Sequence, residues 1–267
     1  MLRDITLGQY YPVDSPVHRL DPRTKILMTV GFVVAVFLVT ELWGYLVVLA
    51  FLALAIYLSR LPIKLMLRSI RPLRILLIFT FVLNLFFGAG GRELLRWGFV
   101  VIRDEGLNNA VHFSLRLVFL VVGSSILTLT TAPVTLTDGI EKLASPLKRI
   151  GFPAHEMAMM MTIALRFIPT LTEEADKIMK AQTARGADFT SGNLKQRATA
   201  MIPLLVPLFV SAFRRAGDLA MAMEARCYHG GEGRTRLHVL KFGAADFSAL
   251  AAVGLLIFLT VLQRRVM

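Results

Sequence analysis

Polarity along this chain comes in blocks. Ile26–Thr40 and Leu42–Leu58 are nearly unbroken apolar stretches with Glu41 as the one charge between them. Further apolar blocks run from about Leu73 to Gly90, about His112 to Thr131 and about Ala244 to Leu262. A helix needs roughly 20 apolar residues to cross a bilayer core, so these blocks predict about five transmembrane helices, the first two joined as a tight hairpin. Two more apolar stretches, 156–171 and 198–213, are about 16 residues each, below that length. The first contains Arg166, and the second contains Pro203 and Pro207. They are expected to lie in or under one leaflet as interfacial helices, with the prolines marking a kink or a helix start. The segment 91–110, with Leu94 to Ile102 at its centre, reads as a structural lid on the bundle or as a short strand hairpin. The fold class is all-α: a polytopic membrane protein of about five spans plus a cytoplasmic or interfacial set of long helices. Its organisation is 1–131 for the N-terminal tail and spans one to four, 132–243 for the long-helix region, and 244–267 for the last span.

Composition agrees with a membrane protein. Of 267 residues 55% are hydrophobic, the mean hydropathy is +0.63, and soluble domains rarely exceed half apolar. The charge of +12 could signal nucleic acid, but the basic residues lie between apolar blocks, which is a topology pattern. The tail (Arg3, Arg19, Arg23, Lys25), the stretch Arg60 to Arg74 and the region 132–243 together hold 24 of the 30 Lys and Arg. By the positive-inside rule these are cytoplasmic, which places the protein in the cell membrane, multi-pass, with its N-terminus inside. The single cysteine, Cys227, excludes an internal disulfide and a Cys-rich metal site. The polar stretch from Met1 to Lys25 predicts no secretory signal.

One device occurs twice. Each short apolar stretch runs on into a polar helical segment that ends in a tripeptide, Ala184-Arg185-Gly186 and Ala225-Arg226-Cys227, with the arginines 41 positions apart. A glycine after the last helical residue is a helix stop, and a terminal arginine offsets the helix dipole. That accounts for one tip. Two tips of the same form point to a shared role, because an arginine fork suits a carboxylate on a partner. Met157, Met160, Met161, Ala164, Leu165, Ile168 and Leu171 share one face of the first helix. This face is either ordinary core or an adaptable docking surface of the kind methionine provides.

Enzyme chemistry finds little support. Gly230 to Thr235 lacks the spacing and the lysine of a phosphate loop. Cys227 and His229 have no second ligand pair, so no metal site is expected. Glu173, Glu174 and Asp176 read as a solvated face. Asn84 and Arg116 are the polar residues noted within the spans, and the last span reads as clean. With no intramembrane carboxylate, a self-sufficient secondary carrier is disfavoured. A membrane-anchored assembly protein without a transport role is the other alternative.

The N-terminal run Gly8-Gln9-Tyr10, Asp14-Ser15 and His18-Arg19-Leu20-Asp21-Pro22-Arg23-Thr24-Lys25, followed far downstream by the two tripeptides and Met223-Glu224-Ala225-Arg226, resembles the transmembrane (T) components of energy-coupling factor transporters over nearly the whole chain. Cys227 departs from the glycine usual there. The resemblance implies a non-enzymatic scaffold of an ATP-driven vitamin or metal importer, with no cofactor on this chain and ATP on its partners. Those partners would be two cytoplasmic ATPases, a substrate-binding membrane subunit and the lipid bilayer, with no nucleic acid. Ala184, Arg185, Gly186, Ala225, Arg226 and Cys227 would dock on the ATPases. The apolar parts of these coupling helices, with Met157, Met160, Met161, Ala164, Leu165 and Ile168, would carry the substrate-binding subunit. The N-terminus is most similar to the version shared among several such subunits; a version dedicated to cobalt, nickel or biotin is the alternative.

Overall fold

The computed structural model describes residues 10–87, 90, 92–97, 100–187, 189, 193–230 and 240–266. Arg3, Gly8 and Gln9 of the N-terminal reading, and Gly231 to Thr235 of the glycine run, lie outside the described residues. Among the described residues the chain forms two compact units, one built from residues 10–139 together with the C-terminal helix, the other from Ile140 to the end of the long-helix region.

The first unit contains α1 (Pro22–Leu38), α2 (Gly44–Ser59), α3 (Ile63–Ile70), α4 (Arg74–Phe87), a β-hairpin of β1 (Glu93–Trp97) and β2 (Val100–Arg103), α5 (Asp104–Thr130) and the final helix, α10 (Ala244–Val266). α6 (Pro133–Ala144) belongs partly to each unit. Within the 91–110 segment β1 and β2 pair antiparallel, with Trp97 opposite Val100, and β2 is followed directly by α5. The five apolar blocks are all helical. α5 is the central post, touched by α1, α2, α3 and α4, while α1 packs most extensively on α10 and only slightly on α2. The tight connection between the first two blocks thus gives neighbours that both lean on α5 rather than a self-contained hairpin. Phe32, Val36, Val48, Phe119, Val122 and Leu256 form the heart of the core, and the Tyr45 ring stacks on Phe119 at 5.7 Å. α1 approaches α10 closely at Gly31, where a Cβ would lie 2.5 Å from Val253 Cγ1; small residues permit such approach between membrane helices.

Lengths differ from the sequence reading in an informative way. α3 and α4 continue through a 3-10 turn at Arg71–Leu73, and Ile63–Phe86 counts as one apolar helix of 24 residues. Among the described residues Asp104–Thr130, Ala198–Glu224 and Ala244–Arg265 are also long and apolar enough to cross a membrane. α1, at 17 residues, and α2, at 16, are shorter. The expectation that 198–213 is too short to span is corrected as to length: its helical run extends to Glu224, because the polar segment that follows continues the same helix.

Polar groups organise the head of the bundle. Asp21 caps α1, its Oδ1 accepting from the Arg23 amide at 2.9 Å, and Pro22 takes the first helical position, where its missing N–H costs nothing. Asp246, on the third residue of α10, reaches back to accept from the Gly243 amide at 2.8 Å. Its other oxygen accepts from the Asp21 amide at 2.9 Å. One carboxylate therefore closes two helix ends. Arg23 forks onto Asp21 at 2.9 and 3.0 Å and lies 4.0 Å over the Phe242 ring. Lys25, 6% exposed, donates to the carbonyls of His18 and Thr130, both at 3.0 Å. The segment ahead of α1 is tied down by Tyr11 N–H to the Leu129 carbonyl at 2.9 Å. His18 accepts from Ser15 Oγ through Nδ1 at 2.7 Å and donates from Nε2 to the Tyr11 carbonyl at 3.0 Å.

The last apolar block is therefore not clean, and the expectation of no carboxylate within it is corrected. Asp246 is 4% exposed, but both of its oxygens are engaged by backbone amides, so its role is structural. Arg116 stays within the bundle, donating to the Val39 carbonyl at 3.1 Å. Asn84 donates to its own helix at the Thr80 carbonyl, 2.8 Å away.

Replacing Asp246 with Ala strands the buried Asp21 amide and removes the cap from the more exposed Gly243 amide, and should cost about 1–3 kcal/mol. Asp246→Asn, which keeps an acceptor, should cost less; thermal unfolding of the purified protein measures both. Burial holds His18 below the usual imidazole value, so the folded segment favours the neutral ring. Its contribution is complete above about pH 6.5 and is lost as the pH falls through the lowered value. The advantage in melting temperature of the unchanged protein over His18→Asn should shrink between pH 8 and pH 5.

Candidate docking site on the paired helices

The second unit is built on two long helices. A 3-10 stretch, Ser145–Ile150, ends at Gly151, and α7 then runs from Ala154 to Ala184 without a break, 31 residues that include Pro169. At 1.5 Å per residue it is roughly 46 Å long. α8 (Leu194–Ala200) leads through Met201 into α9 (Ile202–Glu224), with Pro203 in its first turn and Pro207 inside. Pro203 thus marks a helix start, as the sequence implies, where its missing amide is harmless.

α7 and α9 pack together, and a polar clasp joins them. Glu174 accepts from Ser211 Oγ at 2.5 Å and from Arg215 at 2.9 Å. Glu174 is therefore not part of a solvated face: its side chain is 23% exposed, because the packing of α9 sets a hydroxyl and a guanidinium opposite it. The Ser211 hydrogen bond, with help from Arg215, holds the Glu174 carboxyl below the usual range. Nearer the tip, Gln182 donates to the Pro203 carbonyl at 3.4 Å.

The tips carry the main geometric result. At the first, the Gly186 amide donates to Thr183 O and the Ala187 amide to Gln182 O, both at 3.0 Å. At the second, the Cys227 amide donates to Glu224 O at 2.9 Å and the Tyr228 amide to Met223 O at 3.1 Å. Both are Schellman caps, and each donor and acceptor of the first recurs at the equivalent position of the second. Arg185 and Arg226 occupy the same cap position. Gly186 has φ 90° and Cys227 has φ 55°, so the cysteine adopts the left-handed conformation that glycine takes at the first tip. The departure at Cys227 leaves the helix stop intact, at the cost of strain on a side chain with a Cβ. All six tip residues, Ala184 to Gly186 and Ala225 to Cys227, are exposed. Neither guanidinium has a side-chain hydrogen bond or ion pair among the described residues.

Along the first helix, Met157, Met160, Met161 and Ala164 are exposed, while Leu165 and Ile168 are half-buried. The buried contacts of α7 come instead from Ala154, Ala158 and Ala175, so the methionine face is surface rather than core. On α9 the sequence reading marked the apolar stretch 198–213 but named no residues of its exposed face. Ile202, Leu205, Val206, Phe209, Val210 and Phe213 are each between 41% and 76% exposed. Their spacing of three and four positions was the available signal. Among the described residues no group of three or more His, Cys, Asp or Glu is placed to hold a metal ion.

Long apolar helices, polar caps buried at the bundle head and a pair of exposed tips define a polytopic membrane protein. Residues 14–237 match the family described as Cobalt transport protein, CbiQ. The chain is 56% identical over 263 residues to the energy-coupling factor transporter transmembrane protein EcfT of Thermosediminibacter oceani, covering 98% of this chain and 99% of that one. It is 55% identical over 264 residues to the EcfT of Acidaminococcus fermentans, covering 98% of each, and 46% identical over 253 residues to that of Bacillus subtilis, covering 95% and 96%. The chain belongs to this family, the transmembrane components of energy-coupling factor transporters.

Cys227→Gly should relieve the left-handed strain and stabilise its cap by about 1–2 kcal/mol, and Gly186→Ala should weaken the other by a similar amount. Hydrogen exchange at the amides of residues 186–187 and 227–228 reports each change locally. For the clasp, the ionised Glu174 contributes at neutral pH, and this contribution disappears as the pH falls below about 4.3 through the lowered value. The melting-temperature gap between the unchanged protein and Glu174→Gln should be present at pH 7 and shrink as the pH is lowered through the acid range.

Proposed function

We propose that this chain is the non-catalytic coupling subunit of its transporter, joining two cytoplasmic ATPases to a membrane subunit that binds the substrate. The observation that supports this most directly is the duplicated tip: two exposed arginines on matching caps, at the ends of two helices clasped by Glu174. A duplicated donor fits a duplicated acceptor, which a pair of like ATPases would supply. Each guanidinium would lay its planar fork on carboxylate or carbonyl groups of one ATPase. Movement transmitted to the tips would pass along α7 and α9 together, since the clasp and the packing oppose independent sliding. The ATP would be bound by the partners.

The exposed apolar faces of α7 and α9 would receive the substrate-binding subunit, methionine supplying a surface that repacks against different partners. The cargo, a vitamin or a metal ion, would bind on that other subunit. The distribution of basic residues supports a cytoplasmic N-terminus in the cell membrane and a cytoplasmic region 132–243. On that reading α9 lies along the leaflet despite its length, because crossing would carry the arginine tip of one helix to the opposite side from the other.

Arg185→Glu and Arg226→Glu should each weaken ATPase association and abolish uptake. Losing one partner of a charged interface pair costs about 2–5 kcal/mol, so each affinity should fall at least about tenfold. The double variant should release both ATPases while still inserting in the membrane, since neither residue lies in the transmembrane unit. Pull-down from membranes combined with substrate uptake in intact cells checks this. Retention of both ATPases with normal uptake would reduce the arginines to helix caps. ATPases that remain bound without any uptake dependence on this chain would favour an assembly protein instead.

A further inference from the structure

The transmembrane unit contains a feature that the coupling role does not use. An open groove of about 260 Å³ lies at the bundle head, close to the lower end of the roughly 300–1,000 Å³ of small-molecule sites. Its walls are the ends of four helices: Phe32 of α1, Leu54 and Leu58 of α2, Ile126 and Leu127 of α5, and Ala249 of α10. Leu54 and Leu58 are 53% and 40% exposed, so the groove is open along a flank of apolar side chains.

Four polar side chains line it: Lys25, Thr29, Thr130 and Ser248. Three of them have no proton to offer a ligand. Thr29 Oγ1 donates to the Lys25 carbonyl at 2.8 Å, Thr130 Oγ1 to the Ile126 carbonyl at 2.7 Å and Ser248 Oγ to the Ala245 carbonyl at 2.8 Å. Lys25 is different. An ammonium has three N–H donors, and Lys25 uses two, on the His18 and Thr130 carbonyls. Its third donor is unspent among the described residues. The carboxylates closest in influence are committed elsewhere: Asp21 holds Arg23, and Asp246 accepts from two backbone amides. Neither forms an ion pair with Lys25. Both hydrogen-bond acceptors of Lys25 are neutral carbonyls, while Asp246 and Asp21 act on it only at a distance; a buried cation is better satisfied when an anion takes its remaining donor.

We propose that this groove holds one acyl chain of an anionic phospholipid, with the lipid phosphate on the remaining N–H of Lys25. Each part of the site matches one part of that ligand. The long apolar flank takes hydrocarbon, the single cation at its end takes the phosphate, and exposed Arg60, just beyond Leu58 at the end of α2, adds positive charge nearby. With the hydroxyl protons spent, Lys25 is the one side chain lining the groove with a donor left for an anion.

The test is native mass spectrometry of the full-length protein in detergent, titrated in turn with phosphatidylglycerol, phosphatidylcholine and palmitate. One phosphatidylglycerol should be retained at least tenfold more strongly than phosphatidylcholine. Ala249→Phe, which fills the groove from α10 without touching the Lys25 hydrogen bonds, should lower that retention at least tenfold. Loose binding to the basic stretch from Arg60 to Arg74 would not respond to this change. Lys25→Met should erase the preference for phosphatidylglycerol over phosphatidylcholine, and Lys25→Arg should keep it. If Lys25→Met does not fold, Ala249→Phe decides alone. Equal retention of the two phospholipids by the unchanged protein, indifference to Ala249→Phe, or retention of palmitate in place of phosphatidylglycerol would each overturn the proposal.

Discussion

A helix end buried away from water leaves up to four amides or carbonyls without partners, and in a bilayer nothing outside the protein can supply them. In the transmembrane unit that constraint is met chiefly by Asp246. Its two oxygens satisfy the amide that opens α10 and the amide of the residue capping α1. Two helices that pack extensively on each other, α1 and α10, therefore share one acceptor at their heads. From that point Asp21 can fork onto Arg23, and α1 can run down the face of α10 at Gly31. Lys25 is placed so that the carbonyls at the end of α5 and in the N-terminal segment become its partners. Without the shared carboxylate, the Asp21 and Gly243 amides would lose their acceptor and Lys25 the influence of a nearby negative charge.

The same constraint is met differently at the far ends of α7 and α9. There the orphan groups are carbonyls, and the chain satisfies them with its own next two amides by passing through a left-handed residue. This closure needs no side chain from elsewhere, so it leaves the cap arginine free. At the bundle head Asp21 and Asp246 are consumed by capping; at the tips backbone alone caps, and the arginine charge stays exposed. That division explains how one chain can bury Arg23 and Lys25 while presenting Arg185 and Arg226. Glu174 adds a fixed relation between the two shafts, so the arginines belong to a pair of helices held together rather than to two independent arms.

Exposed apolar surface follows from the lack of water as well. Methionines on α7 and the Ile202 to Phe213 stripe on α9 would be a liability on a soluble protein. Next to lipid, or under a membrane partner, they are ordinary contact surface. The buried positions of α7 are alanines, at 154, 158 and 175, while Met157, Met160 and Met161 are exposed.

Periodicity and charge made much of this molecule legible in advance. Apolar blocks of the right length marked the helices, and the basic stretches marked the ends between them. The repeat of Ala-Arg before a stop marked both tips, because capping is local and depends on residues within one turn. The hairpin of β1 and β2 was visible as an alternative for the same reason. What remained hidden depends on partners far apart in the chain. Asp246 looks like an exposed start to α10 until Asp21, from the opposite end of the chain, is brought beside it. Glu174 looks solvated until α9 sets Ser211 and Arg215 against it. Cys227 looks like a broken stop until its backbone is seen to hold φ 55°, and 198–213 looks too short until the polar shaft proves continuous with it. The sequence determined which segments are helices and where they end, since those choices are made by neighbours in the chain. Only the tertiary structure decided which charges are spent inside the fold and which are left to meet something else, because burial and pairing are properties of packed helices and not of any one of them.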